Sequence, residues 1–369
     1  MKKIAFFVNS LIKAGPVNVV YDIVSHIDRT RYEPYIYVLR ENVEFRSVLA
    51  RFEDLGIKVI FFNFSFIQME LKTKKCVEII EKQLKRDNIN IVHSHTYNSA
   101  VILSKCSENI KKIITFHNIC NEDFPRQKGF FLGNYMFIRY MRAIKKFDKK
   151  IGISEIVSNF YRKKTKDDSV FTIYNGVDCD KFIIPSEIER ESLREKFGVQ
   201  TKTVYVTVGT ISKLKNIVHI IDTIKKLNDN TKVFFFIGTG PLLRKCKKIA
   251  EGYENIIFTG YQMNIREYLS IADFSIAASK TEGFGLAALE VIMSGITLIY
   301  SDCKAFKELF SEDKILKEYM FTLDEENSLL DKIKQSKKIE NIEKTISEYR
   351  QKFDSKIMSN KYQQIYGEV

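Results

Sequence analysis

Two glutamates that flank a glycine turn are the residues of this chain whose spacing points most directly to chemistry. The segment 280–301 reads KTEGFGLAALEVIMSGITLIYS, with Glu282 just ahead of the GFG turn and Glu290 eight positions later. The apolar run FSIAAS precedes it, and residues 286–293 are apolar with good helix formers, so the pattern predicts a strand, a glycine turn and a helix. Such a turn lets the backbone approach a ligand closely, and the free N–H groups of the first helical turn attract a phosphate.

The two carboxylates are too far apart to share one atom or one metal ion. Eight residues of helix rise about 12 Å, so Glu282 and Glu290 would contact two ends of an extended ligand. A nucleotide sugar has that shape, because its hexose, diphosphate and ribose follow one another. The segment therefore indicates a nucleotide-sugar site.

Three of the five histidines follow predicted strands: His93, His95 and His117. Ligands of open α/β sheets lie beyond the carboxyl ends of the strands. A single histidine there more often packs and donates a hydrogen bond than catalyses, and we interpret His93 and His95 in that way. His117, followed by Asn118, is the candidate for substrate contact. No third ligand lies near His93 and His95 in the sequence, so we expect no metal site.

Two more glycine turns follow strands in the second half of the chain. One reads VGTISKLKN and places Lys215 near the start of a helix, where its charge would offset that of a diphosphate, although most lysines are solvated surface groups. The other, FIGTGPLL, contains Gly240 and also enters a helix. Neither turn identifies a site by itself, but their order ahead of the Glu282 segment agrees with a nucleotide-sugar site.

Strand-like runs alternate with helical patterns along the chain, which predicts an α/β fold with two doubly wound, Rossmann-like parallel sheets facing a cleft. The charged segment 181–200 interrupts this alternation and is interpreted as a linker. We expect an N-terminal, acceptor-binding domain at 1–180 and a C-terminal, nucleotide-sugar-binding domain at 201–345. The tail, 346–369, is predicted to be a helix that packs back on the first domain.

The positive charge is concentrated in the first domain. Residues 1–180 contain 30 Lys and Arg against 20 Asp and Glu, and the whole chain has a net charge of +13. The stretch 129–150 mixes aromatic and aliphatic residues with basic ones, and such helices can lie on anionic lipid. An ordinary surface helix with a solvated face is the alternative, and no motif supports a nucleic-acid partner. The residues of the candidate membrane surface are Arg139, Arg142, Lys145, Lys146, Lys149 and Lys150.

Cysteine spacing and hydropathy indicate a cytoplasmic protein. The six cysteines form no close pair, which suggests reduced thiols. The longest apolar stretches are interrupted by polar residues and fall short of the roughly 20 that a spanning helix needs. The basic start MKKIAFFVNS is predicted to be a buried first strand, because it lacks the cleavage site of a signal peptide.

The order of these segments resembles the retaining glycosyltransferases of family 4, which have the GT-B fold. SLIKAGPVNVVYDIV is similar to the family's first glycine loop and helix, and INIVHSHT and IITFHN to its histidine-bearing strand ends. VGTISKLKN, IGTGPL, TGY and KTEGFGLAALE then follow in the family's order. The likeness covers nearly the whole chain, and the last block is its most specific part.

The resemblance implies a role for each candidate residue. Glu282 would hold the donor hexose, Lys215 the diphosphate and Glu290 the ribose, while His117 would stand beside the sugar and the acceptor. His117, Glu282 and Lys215 are thus the expected catalytic residues, and no metal or cofactor is expected beyond the nucleoside diphosphate sugar substrate. The other donor-binding positions are Gly15, Gly209, Thr210, Gly240, Gly283, Phe284, Gly285 and Leu286.

The implied reaction moves a hexose to a hydroxyl of a glycan acceptor with retention of the anomeric configuration. A basic first domain fits an acceptor with phosphate on a lipid, such as a polyprenyl-diphosphate-linked oligosaccharide. By resemblance this indicates capsule, exopolysaccharide or O-antigen synthesis, by a protein peripheral on the inner face of the plasma membrane.

Three positions depart from the family pattern. Thr210 stands where the family usually has an arginine, Cys303 begins CKAF where a glycine pair is common, and Thr297 replaces a proline. These changes leave two alternatives open: a catalytically weak partner of another transferase, or another GT-B nucleotide-sugar enzyme such as an epimerase. A dehydrogenase is disfavoured, because no G-x-G-x-x-G follows the first strand.

Overall fold

The computed structural model describes residues 1–12, 14–41, 47–107 and 109–369, except for the side chains of residues 122 and 127. The chain divides into two compact units. The first comprises residues 1–176 and 355–369, and the second comprises residues 177–354.

The first unit is built on a seven-stranded sheet in the order β3-β2-β1-β4-β5-β6-β7, in which the neighbouring strands are parallel. Its strands are β1 (Lys2–Val8), β2 (Tyr32–Val38), β3 (Lys58–Phe61), β4 (Ile91–Ser94), β5 (Lys111–Phe116), β6 (Lys149–Gly152) and β7 (Val170–Thr172). The helices between them are α1 (Gly15–Ser25), α2 (Leu49–Glu53), α3 (Phe66–Leu71), α4 (Thr73–Asp87), α5 (Tyr97–Leu103), α6 (Cys120–Lys128), α7 (Phe130–Ile144) and α8 (Glu155–Thr165).

The second unit repeats the pattern on a six-stranded parallel sheet in the order β10-β9-β8-β11-β12-β13. Its strands are β8 (Thr203–Val208), β9 (Lys232–Ile237), β10 (Ile256–Gly260), β11 (Phe274–Ala277), β12 (Thr297–Ser301) and β13 (Met320–Phe321). Its helices are α9 (Glu187–Lys196), α10 (Ile217–Leu227), α11 (Leu243–Ile249), α12 (Arg266–Ile271), α13 (Leu286–Met293), α14 (Lys304–Phe310), a 3₁₀ helix (Leu316–Tyr319), α15 (Ser328–Gln335) and α16 (Ile342–Phe353).

The strand sequences are nearly continuous apolar runs because helices cover both faces of each parallel sheet. In the second unit the ring of Tyr205 is stacked between those of Phe234 and Phe274, with ring centroids 4.8 and 5.0 Å apart. These rings belong to the adjacent strands β8, β9 and β11, so they tie together the strands that carry the candidate site. The predicted α/β fold with two doubly wound sheets is confirmed.

The segment expected to be a linker, 181–200, lies within the second unit. Ser186 caps α9, and Arg190 and Arg194 of this helix pair with the buried Asp273 at 2.7 and 3.2 Å. The arginines of the segment that was predicted to be a linker therefore neutralise a carboxylate in the second unit. The sequence does not reveal which charges pair.

The C-terminal tail also differs from the expectation that 346–369 packs as one helix on the first domain. A break at Asp354 ends α16 in the second unit, and α17 (Ser355–Glu368) returns to the first. There Gln363 Oε1 accepts from the Asp28 N–H at 2.9 Å, and Lys2 Nζ donates to Val369 O at 2.6 Å. Among the described residues, no helix is long and apolar enough to cross a membrane.

Candidate active site

The second unit places Glu282 and Lys215 at the point where its strand order reverses. The chain passes from β8 to β9 and β10 on one side, and β11 lies on the other side of β8. The helices after β8 and β11 thus leave a crevice at the carboxyl ends of these two strands, which is where open α/β sheets bind ligands. Lys215 follows β8 and Glu282 follows β11, so both lie at this crevice.

Glu282 is held by two side chains. Its Oε1 accepts a hydrogen bond from Lys215 Nζ at 2.5 Å and another from Ser279 Oγ at 2.6 Å. The backbone oxygen of Ser279 in turn accepts from Ser301 Oγ at 2.6 Å, and both serines are buried. The carboxylate and the ammonium are therefore fixed side by side at the mouth of the crevice, and each is only partly exposed.

Sequence reasoning missed Ser279 and Ser301. The available signal was the position of Ser279 at the end of the predicted strand FSIAAS, three residues before Glu282.

The turn into α13 requires glycine at position 285. Gly285 has φ +110° and is the N-cap of α13, and a Cβ there would lie 2.8 Å from Cε1 of Phe306. The backbone N–H groups that follow open the helix, as the sequence predicts, and Glu290 lies about one turn inside it. The neighbouring Phe284 is buried, with its ring 5.9 Å from that of Phe353.

The two other glycine turns pack against each other beside Lys215. Gly209 has φ +137°, and a Cβ there would lie 3.3 Å from Cε of Lys215. A Cβ on Gly240 would lie 2.4 Å from the backbone oxygen of Ile211, so the two loops are in backbone contact. Thr210, the residue after Gly209, is exposed. A cavity at this crevice is lined by Thr207, Lys215, Ser279, Gly285 and Ala288 among others.

In the first unit, the buried His93 and His95 and the partly buried His117 form a polar cluster. His93 bonds Tyr366 Oη through Nδ1 and Thr115 Oγ1 through Nε2, both at 2.8 Å, so it ties β4 to α17 and β5. This agrees with a packing role for His93.

His117 pairs with His95 through Nε2 and Nδ1, which are 2.9 Å apart. Burial lowers the pKa of His117 to about 3. The His95 Nε2 atom is buried and has no hydrogen-bond partner among the described residues. His117 is therefore a neutral imidazole near pH 7, so it can exchange hydrogen bonds but carries no charge.

Gly15 begins α1, which follows β1. The strand order of the first sheet reverses between β1 and β4, so Gly15 lies at that reversal. A Cβ placed on Gly15 would meet no atom of the described residues within 4 Å, and the φ of Gly15 is not in the left-handed region. Neither packing nor backbone conformation requires glycine at this position, which leaves room beside it for a ligand.

Three of the six basic residues predicted to form a membrane surface instead pair with carboxylates of the protein. Arg139 forms an ion pair with Glu70, Lys149 lies 2.7 Å from Glu368, and the buried Lys150 lies 3.0 Å from Asp167. These partners are distant in sequence, so the pattern could not reveal them. The exposed basic residues of the predicted set are Arg142, Lys145 and Lys146.

No group of three or more His, Cys, Asp or Glu side chains in the described ranges is arranged to hold a metal ion. Metal independence stays a prediction.

Two family models match successive parts of the chain. The model for Glycosyltransferase Family 4 matches residues 14–181, and the model for Glycosyl transferases group 1 matches residues 189–353. Together they span both units.

Two curated relatives and two solved structures show what the chain is similar to. The O-antigen biosynthesis glycosyltransferase WclY of Escherichia coli is 25% identical over 100% of this chain and 98% of that protein. The UDP-Gal:alpha-D-GlcNAc-diphosphoundecaprenol alpha-1,3-galactosyltransferase of E. coli is 25% identical over 63% of this chain and 62% of that protein.

The structure of Anabaena HepE in complex with UDP and glucose superimposes with a TM-score of 0.81 at 17% identity and covers 100% of both chains. WaaG, a glycosyltransferase involved in lipopolysaccharide biosynthesis, gives a TM-score of 0.74 at 14% identity over 98% of this chain and 99% of that one. Both likenesses show the fold. The chain therefore consists of a Glycosyltransferase Family 4 domain followed by a Glycosyl transferases group 1 domain, and it has the GT-B fold.

Proposed function

We propose that this glycosyltransferase moves a hexose from a nucleoside diphosphate sugar to a hydroxyl of a lipid-linked glycan, with retention of the anomeric configuration, in the assembly of a surface polysaccharide. The observation that supports this most strongly is the pairing of Lys215 with Glu282 at the reversal of the second sheet. The Glu282 carboxylate can accept hydrogen bonds from sugar hydroxyls, and the Lys215 ammonium can offset phosphate charge. The two groups are hydrogen-bonded to each other.

In the proposed complex, each group contacts the part of the donor that suits its chemistry. Glu282 accepts from hydroxyls of the hexose, and Lys215 together with the N–H groups after Gly285 binds the diphosphate. Glu290, farther along α13, binds the ribose. Gly209 and Gly240 keep the adjoining loops compact, so that Lys215 reaches the crevice.

The chemical step breaks the bond between the anomeric carbon and the diphosphate oxygen, and the bonding electrons leave with the diphosphate. The negative charge that develops is stabilised by Lys215 and by the N-terminus of α13, which are in place before the reaction begins. The acceptor oxygen attacks from the face that the diphosphate leaves, and its proton passes to the departing phosphate. No pair of carboxylates flanking one bond is needed, unlike the two-carboxylate glycosidase scheme.

His117 is proposed to hydrogen-bond the transferred sugar or its acceptor. Because its pKa is lowered to about 3 by burial, it would act as a neutral hydrogen-bonding group at the pH of a cell. The contact with His95 fixes the orientation of its ring.

The proposed acceptor class rests on the relatives. The E. coli galactosyltransferase has a name that specifies a diphosphoundecaprenol-linked sugar as the acceptor, and WclY is named for O-antigen biosynthesis. For this chain we therefore propose a lipid-linked glycan acceptor, with capsule, exopolysaccharide and O-antigen as candidate products. An enzyme that uses such an acceptor would work at the inner face of the plasma membrane.

Thermal stabilisation and slow hydrolysis with a panel of UDP-, GDP- and ADP-sugars test the donor site. We expect one nucleotide sugar to stabilise the wild type and to be hydrolysed slowly, and Glu290→Ala to lose much of the stabilisation. No response from a folded wild-type protein to any member of the panel would contradict the proposal and favour a catalytically weak partner protein.

A further inference from the structure

Two helices of the first unit leave large apolar side chains exposed to solvent. On α3, Ile67 and Leu71 are 65% and 81% exposed, and five residues of α7 are between 40% and 88% exposed. We call these residues the apolar face: Ile67, Leu71, Phe130, Phe131, Leu132, Tyr135 and Ile138. Soluble monomers rarely expose a contiguous apolar surface of this kind without a binding role.

The two helices are fastened to each other. Arg139 of α7 pairs with Glu70 of α3 and donates to Thr73 Oγ1 at 2.7 Å. In addition, Nζ of Lys128, the last residue of α6, lies 5.2 Å from the ring centroid of Phe66 in α3. The exposed apolar residues of α3 and α7 therefore lie close together, because a partly buried ion pair joins the two helices.

The spacing of five of these seven residues puts them on one side of their helix, and Phe130 and Leu132 flank that side in the first turn of α7. Ile67 and Leu71 are four positions apart, and Phe131, Tyr135 and Ile138 follow at intervals of four and three. The apolar face is thus a continuous stripe on α7 beside a shorter stripe on α3.

Basic side chains surround this face. Exposed lysines begin α4 directly after Leu71, and further exposed basic residues follow Ile138 along α7 and its C-terminal end. The two carboxylates of α3 and α6 whose side chains are described, Glu70 and Asp123, each face an arginine. The exposed basic residues are Lys72, Lys74, Lys75, Arg126, Lys128, Arg142, Lys145 and Lys146. An apolar centre with a cationic rim complements an anionic lipid surface, into which the apolar groups insert while the cations contact head groups.

The location of the face suits a lipid-linked acceptor. Helix α3 follows the carboxyl end of β3, and α6 and α7 follow the carboxyl end of β5, where His117 lies. A membrane at this face would therefore present lipid-linked glycans at the edge of the sheet that carries His117.

We propose that α3 and α7 insert the apolar face into an anionic bilayer and so dock the first unit on the membrane that carries its acceptor. The acceptor part of this inference rests on the proposed function, whereas the docking itself does not. Phe130 and Phe131 would enter the acyl boundary, with Arg142, Lys145 and Lys146 at the phosphates. Arg139, Lys149 and Lys150 would not contribute, because each pairs with a carboxylate of the protein.

The absence of tryptophan from the chain allows a direct test of insertion. Phe131→Trp places a single tryptophan at an 88% exposed position of α7, where the substitution leaves the core unchanged. Ile188→Trp is the matched control, at an 82% exposed position of α9 in the second unit. With vesicles containing phosphatidylglycerol, the emission of Phe131→Trp is expected to shift to shorter wavelength and to be quenched by brominated acyl chains, and that of Ile188→Trp is not. Equal responses from the two variants, or none, would overturn the proposal.

Vesicle sedimentation separates insertion from simple charge attraction. Phe131→Ser is expected to weaken partitioning about tenfold, because one large apolar side chain is lost from the acyl region, and Ile188→Ser is expected to have no effect. Lys145→Glu with Lys146→Glu should weaken binding in a salt-dependent way. If Phe131→Ser leaves partitioning unchanged, or instead converts a dimer into a monomer without vesicles, the face does not dock on lipid. Nucleotide-sugar stabilisation of the same variants without vesicles reports on the donor site separately, so the two proposals can fail independently.

Discussion

Removing the hydroxyl of Ser279 tests the candidate site without changing any charge. This buried group donates to Glu282 Oε1 at 2.6 Å and thereby positions the carboxylate beside Lys215. A hydrogen bond to a charged group contributes about 1.5–3 kcal/mol, which corresponds to about 10- to 150-fold in rate if it is lost from the transition state. We therefore expect Ser279→Ala to lower kcat/KM by a factor in that range while the protein stays folded.

The assay is transfer or slow donor hydrolysis, measured beside the thermal midpoint of each variant. Thr223→Val is a matched control, because Thr223 is also buried in the second unit and donates only to a backbone oxygen, that of His219, at 2.8 Å among its described hydrogen bonds. It should match the stability loss of Ser279→Ala and keep the wild-type kcat/KM.

A double-mutant cycle shows whether Ser279 acts through Glu282. In a Glu282→Ala background, Ser279→Ala is expected to change kcat/KM less than about twofold, since the group that it positions is already gone. Two outcomes would refute this reasoning: an unchanged kcat/KM in the single variant, or losses that simply add in the double variant.

Three further predictions concern stability and backbone geometry. Gly285→Ala should lower the free energy of unfolding by about 2–4 kcal/mol in chemical denaturation, because the residue has φ +110° and its Cβ would meet Phe306; an unchanged midpoint would contradict the turn geometry. Gly15→Ala should leave the thermal midpoint unchanged but reduce transfer, since the added Cβ would meet no atom of the described part of the chain; wild-type transfer would show that no ligand approaches there. The pKa of Asp273 is lowered in the folded state: burial opposes this, but hydrogen bonds from Lys338 and the Val204 N–H outweigh it. The stabilising contribution of the Asp273 carboxylate is therefore present above the unfolded pKa of about 3.9 and is lost as the pH falls through the lower folded value. The difference in thermal midpoint between wild type and Asp273→Asn should be constant from about pH 5 to 8 and shrink below about pH 4. A constant difference at all pH values would contradict the assignment.

The sequence predicts the elements around Glu282 well because each has a local signal. An apolar strand run, glycines that admit positive φ and an apolar helical segment are all visible within residues 274–293. The same holds for Lys215, whose place after a strand and before a helix follows from its neighbours.

Pairings between distant residues could not be predicted from those local signals. Arg139 and Lys150 look like solvated surface charges in a basic stretch, but their partners Glu70 and Asp167 come from other elements. The same reason explains why 181–200 resembles a linker although Arg190 reaches Asp273. Which charges are free depends on the tertiary fold, and so does the exposed apolar face of α3 and α7.

Titration calorimetry of the nucleotide sugar selected by the panel, with wild type and Lys215→Met, tests the central claim most directly. The account predicts a single donor site in the wild type and at least about tenfold weaker binding in the variant, because a charge-assisted phosphate contact of about 1.5–3 kcal/mol is lost. Equal affinities of the two folded proteins would contradict the assignment of Lys215 and Glu282 as the donor site.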